Sequence, residues 1–110
     1  MSEKNKRSEV YEKAVCDALV ELISKAKGTC VSFESIDIAK LAGLPINAYT
    51  LYSIKKVLYK LMRAGMVRRL RRKKGRIFVV NCDSPLWSAC KIKDREIVFE
   101  IISECIKNKD

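Results

Sequence analysis

The sequence predicts a mainly α-helical protein with a small antiparallel β-hairpin, an α+β chain with the element order α-β-α-α-β-β-α. Three observations carry that prediction. Apolar residues recur at three- and four-residue spacing through three separate stretches, 8–26, 35–42 and 47–64. Two short β-type runs, 66–71 and 76–80, flank a turn that contains Gly75. Ser84 followed by Pro85 then marks the start of a last helical pattern. With 110 residues the chain is sized for one domain around a single core.

Residues 1–7 read as a flexible basic arm, and Ser8 as the N-cap of the first helix. In that helix Val10, Tyr11, Ala14, Val15, Ala18, Leu19, Leu22, Ile23 and Ala26 share a face, opposite Glu12, Lys13, Asp17, Glu21 and Lys25, and Gly28 is placed to end it. Thr29 to Phe33 suits a short strand. Ser35 to Ala42 repeats the helical spacing with Ile36, Ile38, Ala39 and Leu41, and Gly43-Leu44-Pro45 stops it.

Asn47 is an N-cap for a longer helix to about Ala64, with Gly65 just beyond. Stepping 100° per residue sets Leu51, Ile54, Leu58, Leu61 and Met62 on one side. Tyr49, Tyr52, Ser53, Lys56, Lys60 and Arg63 fall on the other, while Tyr59 lies nearer the apolar edge and is expected to pack. The hairpin follows, and the last helix should run from Ser84 to about Lys107, with a potential interruption near Asp94.

Charge is segregated along the chain. Between Ile38 and Cys82 there are twelve Lys or Arg and no Asp or Glu, so the whole formal excess of +10 sits in that stretch and the remainder sums to −2. Solubility alone needs no such segregation, and a polyanionic partner does. Seven of these charges, Arg68, Arg69, Arg71, Arg72, Lys73, Lys74 and Arg76, fall in or beside the hairpin. A few lysines would protect an edge strand from pairing, whereas seven cations suit a run of phosphates.

Other classes are disfavoured. Histidine is absent, which removes the usual general base and the commonest metal ligand. The five cysteines, Cys16, Cys30, Cys82, Cys90 and Cys105, contain no Cys-x-x-Cys pair, so neither a zinc site nor a cysteine nucleophile is expected. No glycine-rich phosphate loop is present. The expectation is therefore no enzyme, no cofactor, no metal and no small-molecule ligand. No apolar run is long enough to span a bilayer and none follows the N-terminus as a signal peptide would, which predicts a cytoplasmic protein without a membrane partner. The absence of Gln, with abundant Lys, Arg, Ile and Val, is a compositional hint of a hot-living source.

The stretch Leu51 to Val67, Leu-Tyr-Ser-Ile-Lys-Lys-Val-Leu-Tyr-Lys-Leu-Met-Arg-Ala-Gly-Met-Val, followed by basic residues, glycine and Ile-Phe-Val-Val, resembles the winged helix-turn-helix superfamily. That superfamily includes the MarR, PadR and ArsR types and small winged-helix proteins of archaea and their viruses. The resemblance covers about 30–80, with the first and last helices fitting by position only, and implies a winged-helix domain over 8–83; 84–110 is the C-terminal helix, for packing and as a candidate for dimerisation. It also implies double-stranded DNA as the partner and transcription regulation as the role, in the host cytoplasm if the source is viral. The helix 47–64 would lie in the major groove, with Tyr49, Tyr52, Ser53, Lys56, Lys60 and Arg63 toward DNA, and the wing 66–80 on phosphates or in the minor groove. The alternative use is binding of RNA or of an acidic protein in a transcription or replication complex.

Two further expectations concern the cysteines, from the resemblance, and the last helix, from its apolar face. The early strand of such a fold commonly pairs with the far wing strand, which makes Cys30 and Cys82 a candidate disulfide, with reduced thiols as the other outcome. The last helix carries a wide apolar face, and Ile97, Val98, Ile101, Ile102 and Cys105 are the candidates for a homodimer surface.

Overall fold

In a computed structural model, the backbone is described for residues 3–72 and 75–107 and the side chains for 10–70 and 77–107. The elements are α1 (Glu3–Ser24), β1 (Cys30–Phe33), α2 (Ser35–Ala42), α3 (Ala48–Arg63), β2 (Arg68–Arg72), β3 (Gly75–Asn81), α4 (Pro85–Lys91) and α5 (Arg95–Lys107). The chain is thus mainly helical with one small antiparallel sheet.

The first helix begins before Ser8, because Glu3, Lys4, Lys6 and Arg7 are residue types that favour helix. Residues 3–7, expected as an arm, are therefore helical, and Ser8 is interior to the helix. At the other end α1 stops at Ser24, and Gly28 lies beyond it without a left-handed backbone.

Two helices end where glycine permits a positive φ. Gly43 at +71° closes α2, with the N–H of Leu44 donating to the Ala39 carbonyl at 2.9 Å. Gly65 at +80° closes α3, with the N–H of Met66 donating to Leu61 at 2.9 Å. Both are Schellman endings, which satisfy carbonyls that the helix leaves over and turn the chain sharply.

The sheet has three strands in the order β1-β3-β2, all antiparallel, so β1 adds to the expected hairpin. Phe33 faces Phe78 across β1 and β3, and Arg69 faces Phe78 across β2 and β3. Residues directly opposite project to one side, so Phe33, Phe78 and Arg69 share the face turned to the helices. Gly75 pairs with Arg72 inside the hairpin strands and is not a turn residue.

The same register answers the disulfide expectation. Cys30 stands opposite Asn81, not Cys82, and successive strand residues project to opposite faces. The N–H of Cys82 instead donates to the Thr29 carbonyl at 2.8 Å, and both thiols are free and exposed.

Helix α1 supplies the centre of the core through Val15, Leu19, Val20 and Ile23 and packs against α2, α3, α4 and α5. The C-terminal segment is two helices. Ser84 caps α4 by accepting from the Leu86 N–H at 3.2 Å, and α4 stops at Lys91, with Lys93 two residues on at φ +60°. Asp94 then starts α5 by accepting from the Ile97 N–H at 3.2 Å. The chain reverses here, and α5 returns along α1, where Arg95 pairs with Asp17 at 2.9 Å and Ser103 donates to Glu12 at 3.4 Å.

That return uses part of the expected dimer face. Val98 and Ile102 are fully buried in the core and cannot meet a second copy. Ile101 and Cys105 are half-buried, and Ile97 is exposed.

Candidate nucleic-acid interface

The α2 and α3 pair is set by its turn. Gly43 reverses the chain, Pro45 follows, and the Asn47 side-chain oxygen accepts from the Thr50 N–H at 2.8 Å to start α3. An N-cap of this kind satisfies a donor that the first helical turn leaves unpaired.

Helix α3 buries Thr50, Ile54, Val57, Leu58 and Leu61. Its buried arc is turned by roughly 50° from the apolar stripe read at 100° per residue. Leu51 and Met62 are consequently half-buried, and Thr50 and Val57 are covered instead. The turn also exposes Lys55, a cation outside the polar stripe because it lies on the flank of that face.

Of the expected contact residues on α3, Tyr49, Tyr52, Lys56 and Arg63 are exposed, and Ser53 and Lys60 are half-buried. The two tyrosines are 58% and 62% exposed, unusual for rings on a helix with a well-filled core side. Each meets a side chain of the described residues. The Tyr11 ring of α1 meets Tyr49 edge-on at 6.3 Å between centres, and the Lys56 ammonium stands 5.7 Å from the centre of the Tyr52 ring.

Tyr59 packs, as its place near the apolar edge suggested. Its ring meets Phe78 at 5.8 Å, and the Arg69 guanidinium covers it at 5.6 Å. The hairpin is thereby joined to α3 through an aromatic ring. Arg69, expected among the contact cations, has this packing role in addition to its exposure. Arg68, opposite Val79, projects to the other face and is exposed. The side chains of Arg71, Arg72 and Arg76, and Lys73 and Lys74 entirely, lie outside the described residues.

The ion pairs among the described residues all involve α1. Among the described residues they are Lys13 with Asp17, Lys25 with Glu21 and Arg95 with Asp17, all on α1, its following residue or α5. None of the described cations of α2, α3 or β2 is in an ion pair, and α3 and β2 carry no acidic residue of their own.

Elsewhere, α1 and α5 enclose a cleft of about 230 Å³ lined by Lys13, Cys16, Arg95, Glu96 and Phe99. It is smaller than the roughly 300–1,000 Å³ of ordinary ligand pockets, and Arg95 is already paired with Asp17. Burial pushes the Cys16 thiol up to about 11 and the Cys90 thiol up to about 12, and it also raises that of Cys105. Such thiols stay protonated and are poor nucleophiles. Among the described residues, no group of three His, Cys, Asp or Glu side chains could hold a metal, and no helix is long and apolar enough to cross a membrane.

No family model, curated protein or solved structure matches this chain.

Proposed function

We propose that this chain is a winged helix-turn-helix module that binds double-stranded DNA as a cytoplasmic transcriptional regulator, without catalysis. Helix α3 enters the major groove, and the β2–β3 hairpin serves as a wing on phosphates or in the minor groove. The observation that carries the reading is the acid-free stretch between Ile38 and Cys82, which spans α3 and both hairpin strands. Its described cations lack acidic partners, which favours a polyanion at this surface. The α2-turn-α3 arrangement and the join of hairpin to helix at Tyr59 support a unit that docks as one body.

The chain acts as a homodimer in this reading, through Ile97 with the half-buried Ile101 and Cys105 of α5. A two-fold pair would set two α3 helices on half-sites about 34 Å apart. Sedimentation of a monomer at micromolar concentration would remove the dimer and leave DNA binding intact.

Electrophoretic mobility shifts with duplex DNA, single-stranded DNA and RNA in competition test the main claim. Duplex should win. With about six phosphates neutralised, log affinity should fall against log salt with a slope near −5, or roughly 10³-fold between 50 and 200 mM. A preference for RNA, a slope near zero or no nucleic-acid binding would overturn it.

A further inference from the structure

The candidate interface is divided along its length. From Leu41 to Ile54 the chain carries no charged residue, and this stretch includes the end of α2, the turn and the first two turns of α3. It also holds four of the large apolar or aromatic side chains left exposed: Leu41, Ile46, Tyr49 and Tyr52. The cations of α3 begin only at Lys55, and Arg63 lies fourteen residues beyond Tyr49, about 21 Å along the axis at 1.5 Å per residue.

Residues near the start of a recognition helix are the ones that meet base edges. There the side chains that read bases by paired hydrogen bonds are missing or engaged. Reading guanine needs Arg or Lys, and reading adenine needs both ends of an Asn or Gln amide. The chain has no Gln, and the Asn47 oxygen is taken by the Thr50 N–H at 2.8 Å. What this end of the helix offers a base pair is two phenol rings, held by Tyr11 at 6.3 Å and Lys56 at 5.7 Å, with Ile46 beside them in sequence and only single hydroxyls, those of the two tyrosines and the half-buried Ser53, for hydrogen bonds.

We infer that the α3 end of this interface reads pyrimidine C5-methyl groups, so that the chain prefers duplexes rich in thymine. This rests on the DNA-binding reading above and adds its chemical selectivity. The C5-methyl group is the apolar feature of the major-groove edge, and apolar side chains recognise it by burial. Lys55, Lys56, Lys60 and Arg63 follow on the same helix and supply attraction to the flanking phosphates, which is why the occupant of this apolar patch is DNA.

The test compares a 20-base-pair alternating A·T duplex with the same duplex carrying deoxyuridine for every thymidine, which deletes only the methyl groups. A G·C duplex with cytosine or with 5-methylcytosine makes the reverse comparison, and the full chain is used throughout. One lost methyl contact weakens binding about fourfold, and two about fifteenfold. Thymine over uracil and 5-methylcytosine over cytosine should therefore each differ by about four- to fifteenfold, with the ratio falling toward one in Tyr49→Ala/Tyr52→Ala. Equal affinities with and without the methyl groups would overturn the inference and leave duplex binding standing, whereas no binding to any duplex would overturn both. Self-association that Tyr52→Ala abolishes would assign the patch to a second copy and also overturn the inference.

Discussion

The guanidinium of Arg69 lies over the ring of Tyr59, 5.6 Å from its centre, and this contact joins the edge strand β2 to helix α3. Tyr59 in turn meets Phe78, the β3 residue opposite both Arg69 and Phe33. Side chains therefore help to orient the hairpin on the helix, beside the pairing of β3 with β1 and the short backbone segment through Gly65.

A double-mutant cycle of Arg69→Ala and Tyr59→Ala should show a coupling of about 0.5–1 kcal/mol, the size of a cation over an aromatic ring at an exposed site. Urea denaturation of the four proteins measures it. Strictly additive losses would mean that the ring and the guanidinium are neighbours without energetic consequence.

Ser84 has two tasks. Its hydroxyl donates to the Met66 carbonyl at 2.8 Å and accepts from the Leu86 N–H at 3.2 Å, so one buried oxygen both starts α4 and ties it to the segment entering β2. Ser84→Ala should cost about 1–2 kcal/mol, combining a lost cap with an unsatisfied carbonyl. Thermal unfolding of the variant checks this, and a change under about 0.3 kcal/mol would show that water replaces the hydroxyl.

Lys93, two residues beyond α4, lies in the left-handed region, at φ +60°, in the same Schellman geometry that Gly43 and Gly65 provide elsewhere. The N–H of Asp94 donates to Ala89 at 3.2 Å and that of Lys93 to Cys90 at 3.0 Å. A side chain is disfavoured in this conformation, so Lys93→Gly should stabilise the fold by about 0.5–1 kcal/mol. A loss of stability on denaturant titration would mean that the lysine side chain makes up for its backbone.

The thiols predict both reactivity and a pH dependence. At pH 8 a disulfide reagent such as dithionitrobenzoate should label exposed Cys30 and Cys82 quickly, and buried Cys16 and Cys90 only on unfolding. In the unfolded chain these two buried thiols lose protons near the ordinary 9.0, whereas in the fold they hold them to about 11 and about 12. Below pH 9 both states are protonated and the thiols contribute no slope. Above it the unfolded state binds fewer protons, so stability falls as pH rises from 9 toward 12. Cys90→Ala should show a shallower decline than the parent between pH 8.5 and 10.5, and parallel curves would refute the assignment.

The helices and their stops were largely legible in the sequence because their signals are local. Gly43 and Gly65 are needed for a positive φ, Asn47 and Ser84 for orphaned N–H groups, and each works within five residues. Ser8 and Gly28 misled for the same local reason, since either residue type suits a helix end that the chain did not need. The charge segregation between Ile38 and Cys82 was equally plain, as it requires only counting.

What depends on distant partners was not legible. Amphipathic spacing located the apolar side of α3, but packing against α1, α2 and α5 turned its buried arc, covered Val57 and exposed Lys55. The register of β1 on β3, set by Phe33 against Phe78, put Asn81 and not Cys82 across from Cys30. The wide apolar face at the C-terminus was visible, yet only the reversal at Lys93 directs Val98 and Ile102 into the core and leaves Ile97 outside. The sequence by itself determined the elements and the sign of their charge, through interactions spanning one turn or one strand. Tertiary structure alone decided which face of each element meets solvent, because burial depends on contacts between residues far apart in the chain.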